Sequence, residues 1–145
     1  MATNNSNPIQ FHFLEKTSLA NRTALKSFLV SLFKKEAHRL ESLHYIFCSD
    51  EYLLQINQTH LQHDFYTDII TFDLSNPGAG TVGEIYISID RVKDNALNLN
   101  EPLYRELHRV IFHGALHLCG YQDKSQADEQ AMRKKEDHYL NLYFK

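Results

Sequence analysis

The spacing of apolar and polar residues changes period several times along this chain, and each change marks an element. "IQFHFLE", from Ile9 to Glu15, alternates and predicts a half-buried strand. In "SLANRTALKSFLVSLFKKEAHRLESL", Leu25, Phe28, Leu29, Leu32 and Phe33 fall at helical spacing, with Asn21 or Thr23 as the N-cap. "HYIFCSD" predicts a second short strand. "DEYLLQINQTHL" predicts a short helix capped by Asp50, with Leu53, Leu54 and Ile56 or Asn57 along one side. β-Branched and aromatic residues crowd "HDFYTDIITFDL", so a strand is expected over Asp68 to Leu74. Turn chemistry in "SNPGAGTVG" separates it from "EIYISID", Glu84 to Asp90, whose alternation gives one face to the core and the other to solvent or a cleft.

"RVKDNALNLN" predicts a further short helix, and Pro102 opens a long one, "EPLYRELHRVIFHGALHLCG", which Gly120 stops. Ser125, with Asp128 three residues later, predicts the N-cap of a last helix carrying Met132, Tyr139, Leu140 and Tyr143 on one face. The sum is an α+β fold: one domain over residues 9–145, with a small mixed four-stranded sheet packed against about five helices. Residues 1–8 read as a disordered lead-in broken off at Pro8.

Composition narrows the class. At 145 residues the chain is one domain's worth, and 43% apolar with 23% charged residues is ordinary for a globular protein. No run approaches the ~20 apolar residues of a membrane span, and "MATNNSNPIQ" has neither the basic nor the apolar region of a secretory signal. Two cysteines, Cys48 and Cys119, fit a reducing compartment, so a cytoplasmic location is expected. A formal net charge of −3 argues against a general nucleic-acid binder, although Lys34, Lys35 and Arg39 offer a local basic face. Nine histidines are many for this length, and they direct attention to "HGALHLCGYQD".

On a wheel at ~100° per residue, His113 and His117 lie ~40° apart, one turn above the other. The stripe Leu103, Leu107, Val110, Ile111 and Leu118 occupies the neighbouring sector. Gly114 falls inside it, where a missing side chain admits close approach of another element. Imidazoles one turn apart can reach a single ion. A third ligand must come from a chain that reverses, which Gly120 permits, and Asp123 is the first good donor after it. Such a set leaves a coordination position open, as in catalytic zinc sites, where the ion acidifies water and polarises a carbonyl or phosphoryl oxygen. The other reading makes His113 and His117 hydrogen-bonded core residues and Asp123 a helix cap. The glycine stop and the carboxylate after it favour metal. Gly114 stands where H-E-x-x-H peptidases carry their general base, so peptidase chemistry lacks that group.

Other residues have two readings each. Arg109, one turn before His113, holds a phosphate beside the metal, or else it and Arg105 are solvated partners of Glu101 and Glu106. Glu136 suits an acceptor for a ligand imidazole or a helix pin, and Cys119 a small buried hydrophobe. Thr67 and Asp68 are strand-end residues or substrate contacts. "RKKED", Arg133 to Asp137, reads as a solvated face, and His138 as surface.

"HGALHLCGY" followed by an acidic residue resembles the signature of the YbeY family of metal-dependent endoribonucleases, the rRNA maturation factors, whose pattern is H-G-x-L-H-L-x-G-Y-D-H. "YTDIITFD" resembles that family's T-[DN]-V-L-S-F strand, "VGEIYIS" its G-D-I-x-I-S strand, and "INQTHL" its L-N-x-x-Y-R segment. Met132 and Glu136 match M-x-x-x-E of the last helix, so the resemblance spans roughly residues 45–143. Two positions depart: the third histidine falls on Asp123, and the arginine of L-N-x-x-Y-R on Leu61, with His60 and His63 nearby. The resemblance implies one zinc ion per chain and a cleft between the long helix and the sheet, with "VGEIYIS" as an edge strand forming one wall. It also implies single-strand endoribonuclease activity in rRNA 3′-end maturation, with ribosomal RNA and the small ribosomal subunit as partners and a ribosomal or GTPase protein as a further one. The alternatives are a non-catalytic, metal-stabilised ribosome-assembly factor and a metal-dependent hydrolase of another class, such as a peptidase.

Overall fold

The computed structural model describes residues 7–62 and 66–145. Nine elements follow one another in these residues: β1 (Ile9–Phe13), α1 (Arg22–Lys35), β2 (Leu40–Cys48), α2 (Asp50–Leu61), β3 (Ile69–Asp73), β4 (Thr81–Ser88), α3 (Ile89–Leu99), α4 (Leu103–Leu118) and α5 (Gln126–Tyr143). The strands form one four-stranded sheet in the order β1-β2-β4-β3. β1 runs parallel to β2 and β2 to β4, while β3 pairs antiparallel with β4. The expected α+β class and mixed sheet are therefore present. One expectation is corrected. The "VGEIYIS" strand, β4, is interior, because the glycine-rich turn folds β3 onto one side of it and β2 pairs along the other.

Serines set several boundaries. Ser49 Oγ, not the Asp50 carboxylate, accepts the Tyr52 backbone N–H at 3.1 Å and caps α2. Asp50 instead accepts from Ser88 Oγ at 3.0 Å and Arg91 at 2.6 Å. Ser88 caps α3 by accepting from Arg91 N, which ends β4 at Ser88 and draws Ile89 and Asp90 into the helix. Ser125 caps α5 as expected, accepting from Asp128 N at 3.1 Å. Asn21 occupies the N-cap of α1 in the left-handed region with φ 56°, but its side chain makes no cap bond. Ahead of β1, Pro8 O accepts from Leu43 N and Asn7 Oδ1 from Ile9 N, so residues 7 and 8 of the expected lead-in are tied to the sheet. Residues 1–6 lie outside the described residues.

α4 runs through the middle of the protein, with Leu107, Val110, Ile111, Phe112, Ala115 and Leu116 all buried. Its Ile111 carbonyl accepts from the fully buried Tyr45 hydroxyl of β2 at 2.8 Å. Leu103, expected in the same stripe, is 44% exposed and lines a surface cavity with Ile89, Val92 and Leu107. The contact of α4 with β4 is reciprocal. A Cβ on Gly114 would lie 2.8 Å from Ile85 Cδ1, and one on Gly83 would lie 2.7 Å from Leu118 Cδ1. Four helical residues rise about 6 Å and two strand residues advance about 6.7 Å, so the two glycines and the two aliphatic side chains stay in step. Gly114→Ala is a diagnostic change. On a free helix it stabilises by about 1 kcal/mol, but here overpacking against Ile85 and Ile69 costs about 1–3 kcal/mol. Urea denaturation is expected to show net destabilisation.

His108 gives this core a pH dependence. It is buried among Phe112, Tyr143 and Phe144, and its Nδ1–H donates to Tyr104 O at 2.7 Å. Its Nε2 has no partner among the described residues. Burial pushes the imidazole below its ordinary value, and the Tyr104 carbonyl only partly opposes this. The unfolded chain therefore takes up a proton near pH 6.5 that the folded chain refuses. The stability involved is present in full above that pH and is lost as pH falls toward the depressed folded value. Thermal melts between pH 7 and pH 5 are expected to show a shallower loss in His108→Phe than in the parent.

Candidate metal centre

α4 presents His113 and His117 side by side, with ring centroids 6.2 Å apart and planes inclined by 11°. Each ring is oriented by an oxygen. His113 Nδ1–H donates to Glu136 Oε2 of α5 at 2.7 Å, and His117 Nδ1–H donates to the Tyr121 carbonyl at 2.8 Å. Because both acceptors are oxygens without a proton to give, the Nδ1 positions carry protons, and in the neutral rings the Nε2 lone pairs are the ones left available. Gly120, at φ +102°, ends α4 and turns the chain back. This brings Asp123 Oδ2 to 3.3 Å from His113 Nε2. Two acceptors facing each other at that distance repel unless a proton or a cation lies between them.

The charges around the pair point the same way. Glu106 and Glu136 are both 2% exposed in their side chains, and Asp68 and Asp123 lie nearby. Arg109 is the guanidinium buried with them. Its Nε donates to Glu106 at 2.8 Å and an Nη to Glu136 at 3.1 Å, with Asp68 3.9 Å away. Burial alone would lower the Arg109 value, but Glu106 and Glu136 outweigh it and hold the group charged. Burial raises the Glu136 carboxyl, yet the bond from His113 and the charge of Arg109 carry it below its usual value. Arg133 Nε lies 3.7 Å from Glu136 Oε1 as well, so four carboxylates face two guanidiniums, and the surplus favours a cation at His113. The donors thus fit zinc in kind, two imidazoles and a carboxylate. Among the described residues no group of three His, Cys, Asp or Glu side chains is gathered closely enough, as the side chains stand, to hold a metal ion. His113 and Asp123 face each other, His117 stands one turn along, and Asp123 is 45% exposed on the reversal.

The surroundings differ from several expectations. Arg109 is only 14% exposed and turned inward, so it is not a solvated arginine, although it does pair with Glu106. Arg105 is more exposed and lies near Glu101 and Asn141. Asp123 does not cap α5, a role Ser125 fills. The cavity at the site measures about 990 Å³ and is lined by Arg109, His113 and Asp123 together with α5 residues including Met132, Arg133, Lys134 and Glu136. It lies between α4 and α5, not between α4 and the sheet, because α4 is itself seated on β4 at Gly114 and Gly83. Arg133 and Lys134 are exposed, as a solvated face requires, and also line this cavity, whereas Glu136 of the same run is buried. Lys34, Lys35 and Arg39 are exposed but do not line it.

Position 114 faces Ile85 and Ile69, so a glutamate there would point into the sheet. Thr67 Oγ1 donates to Ile69 O at the strand end, and Asp68 accepts from Asn95 while lying 3.9 Å from Arg109. Cys119 is buried, and burial with the nearby Glu36 pushes its thiol up to about 12. His138 is exposed. Leu61 is 40% exposed at the end of α2. His60 packs edge-on against Phe72 and lines a different cavity. His63 lies outside the described residues. Sequence spacing pointed to Glu106 only as a helical neighbour of Arg109, and it held no signal for the Tyr121 carbonyl.

The family model for endoribonuclease YbeY matches residues 4–143. The chain belongs to the endoribonuclease YbeY family. An endoribonuclease YbeY from Cytophaga hutchinsonii is 51% identical over 134 residues, covering 91% of this chain and 94% of that protein. One from Flavobacterium psychrophilum is 49% identical over 135 residues, covering 93% and 91%. The solution structure of a Thermotoga maritima protein matches with a TM-score of 0.64 at 27% identity, over 94% of this chain and 89% of that one.

Membership in the YbeY family leaves the Arg109 cluster to be tested directly. Arg109→Leu removes the cation from two buried carboxylates, and a loss of about 3–5 kcal/mol is expected in urea denaturation. Adding Glu106→Gln and Glu136→Gln is expected to recover part of that loss.

Proposed function

We propose that this chain is a zinc-dependent single-strand endoribonuclease acting in 3′-end maturation of ribosomal RNA, with His113, His117 and Asp123 holding one ion per chain. The observation that carries this reading is the orientation of the two imidazoles: both Nδ1 atoms are committed to protein oxygens, and His113 Nε2 faces Asp123. A bound zinc ion supplies Lewis acidity toward a phosphoryl oxygen and lowers the pKa of water. The chain's own residues do the rest. Glu136 and the Tyr121 carbonyl hold the rings and make them better donors. Arg109 keeps Glu136 ionised for that purpose. Arg133 and Lys134, on the cavity wall, offer cations to the phosphates of an RNA strand. The carboxylate surplus around His113 repels a phosphodiester when no cation is present, which makes cleavage metal-dependent. Asp123 in place of a third histidine cancels one unit of the ion's charge, so water there is less acidified, and harder divalent metals are admitted more readily.

The substrate we infer is ribosomal RNA of the small ribosomal subunit, met in the cytoplasm. Family membership and the paired imidazoles support this, and among the described residues no helix is long and apolar enough to cross a membrane. With a net charge of −3 the chain has little general attraction for RNA, so a ribosomal or GTPase protein is the proposed aid to positioning. One observation favours a second reading. Glu136 and Arg109 tie α5 to α4 through His113, as a non-catalytic, metal-stabilised assembly factor would need.

The test compares wild type with His113→Ala/His117→Ala on a ribosomal RNA precursor fragment, with and without added zinc and with chelator. Cleavage is expected from the wild type alone and is abolished by chelator. Equal cleavage by both proteins overturns the reading. No cleavage by a wild type that carries one zinc per chain selects the assembly role.

A further inference from the structure

We propose that Glu36 is a positioning residue for the metal centre, acting through Tyr121 on His117 and on the reversal that carries Asp123. The inference rests on the metal reading above. Glu36 follows the last turn of α1, far ahead of every proposed ligand in the chain. Its carboxylate is 10% exposed and gathers three donors: Tyr121 Oη at 2.9 Å, Lys135 Nζ at 3.1 Å and the Tyr139 hydroxyl. Lys135 and Tyr139 belong to α5. Tyr121 belongs to the short segment between α4 and α5 that contains the third ligand.

Tyr121 is therefore held at two ends. Its backbone N–H donates to Leu116 O at 3.1 Å, and its hydroxyl is fixed on Glu36. Between those anchors lies its carbonyl, the acceptor that orients His117 Nδ1 at 2.8 Å. Asp123 follows two residues later. The two imidazoles are thus oriented by two separate chains of contacts. His113 depends on Glu136, which Arg109 and Glu106 hold in place. His117 depends on a backbone carbonyl, and the side chain that places this carbonyl is anchored on Glu36. A carboxylate in that position, with three donors converging on it, stays ionised: burial raises its pKa, and the three hydrogen bonds more than offset the rise.

A purely structural Glu36 would tie α1 to α5 and leave the metal untouched. Tyr121→Phe and Tyr139→Phe separate the two roles. Each removes one hydroxyl from Glu36 and keeps the ring, but only the first releases the segment that orients His117. Cobalt(II), titrated into metal-free protein and followed by its visible absorption, reads the site directly, and thermal melts of the same samples report stability. Tyr121→Phe and Glu36→Gln are expected to weaken cobalt binding by about three- to tenfold, below the 10–100-fold typical of a ligand's direct partner. Tyr139→Phe is expected to leave cobalt affinity unchanged, and the Glu36→Gln/Tyr121→Phe double variant to be no weaker than the worse single one.

In metal-free protein, nitrogen NMR of the imidazoles is expected to show His117 losing its preference for the Nδ1–H tautomer in Tyr121→Phe. Wild-type cobalt affinity in Tyr121→Phe, with an unchanged tautomer, overturns the positioning role and leaves the metal reading standing. Equal weakening of cobalt binding by Tyr121→Phe and Tyr139→Phe does the same. A wild type that binds no more cobalt than His113→Ala/His117→Ala overturns the metal reading, and this inference with it.

Discussion

The structure depends first on how closely α4 lies against β4. Ile85 fills the space a side chain at Gly114 would take, and Leu118 fills the space above Gly83. This double insertion fixes the depth, direction and rotation of the helix at once, since sliding or turning α4 would bring one aliphatic group onto a backbone. With Gly114 pressed to the sheet, the neighbouring sector of the helix faces outward toward α5. That sector carries Arg109 and His113, which line the cavity, and His117 one turn along beside the Tyr121 carbonyl. The candidate metal centre is thus the side of α4 that the sheet leaves uncovered, and its placement follows from a packing constraint rather than from any contact among the ligands.

Around this constraint the polar groups are arranged as a second, smaller core. Glu106, Arg109 and Glu136 are nearly removed from water and bond to one another and to His113. Burying such groups is unfavourable unless each is paired, so the cluster stabilises little by itself. Its effect is rotational. It leaves the His113 ring one orientation, in which the free nitrogen looks toward Asp123. Glu36 and Tyr121 do the corresponding work for His117, using a different stretch of the chain and a different helix.

Much of this was legible locally. The 3.6-residue stripe of α4 from Leu107 onward, the placement of Gly114 within it, the stop at Gly120 and the Ser125 cap each depend on residues a few positions apart, and each appears where the spacing put it. What was not legible depends on partners far along the chain. β4 alternates like a strand with one face free, and nothing in "VGEIYIS" reveals that β2, much earlier in the sequence, runs along its other side. Asp50 is a good cap in isolation, but Arg91 and Ser88 engage it, and Ser49 does the capping. Arg109 reads as a surface arginine until α5 lays Glu136 beside it. Glu36 carries no local signal, because its three donors lie 85 to 103 residues away.

The three proposed ligands do not have equal standing in the architecture. His113 and His117 project from a helix whose rotation is locked, and each ring is held by an oxygen behind it. Asp123 sits beyond a glycine reversal, nearly half in water, with no helix beneath it. Exchanging the residue at 123 disturbs neither the α4–β4 contact nor the buried carboxylates, whereas exchanging either histidine disturbs the oxygen placed behind it. Substitution is therefore cheapest at this third position. A carboxylate there alters the hardness and charge of the proposed donor set and asks for no rebuilding of the fold.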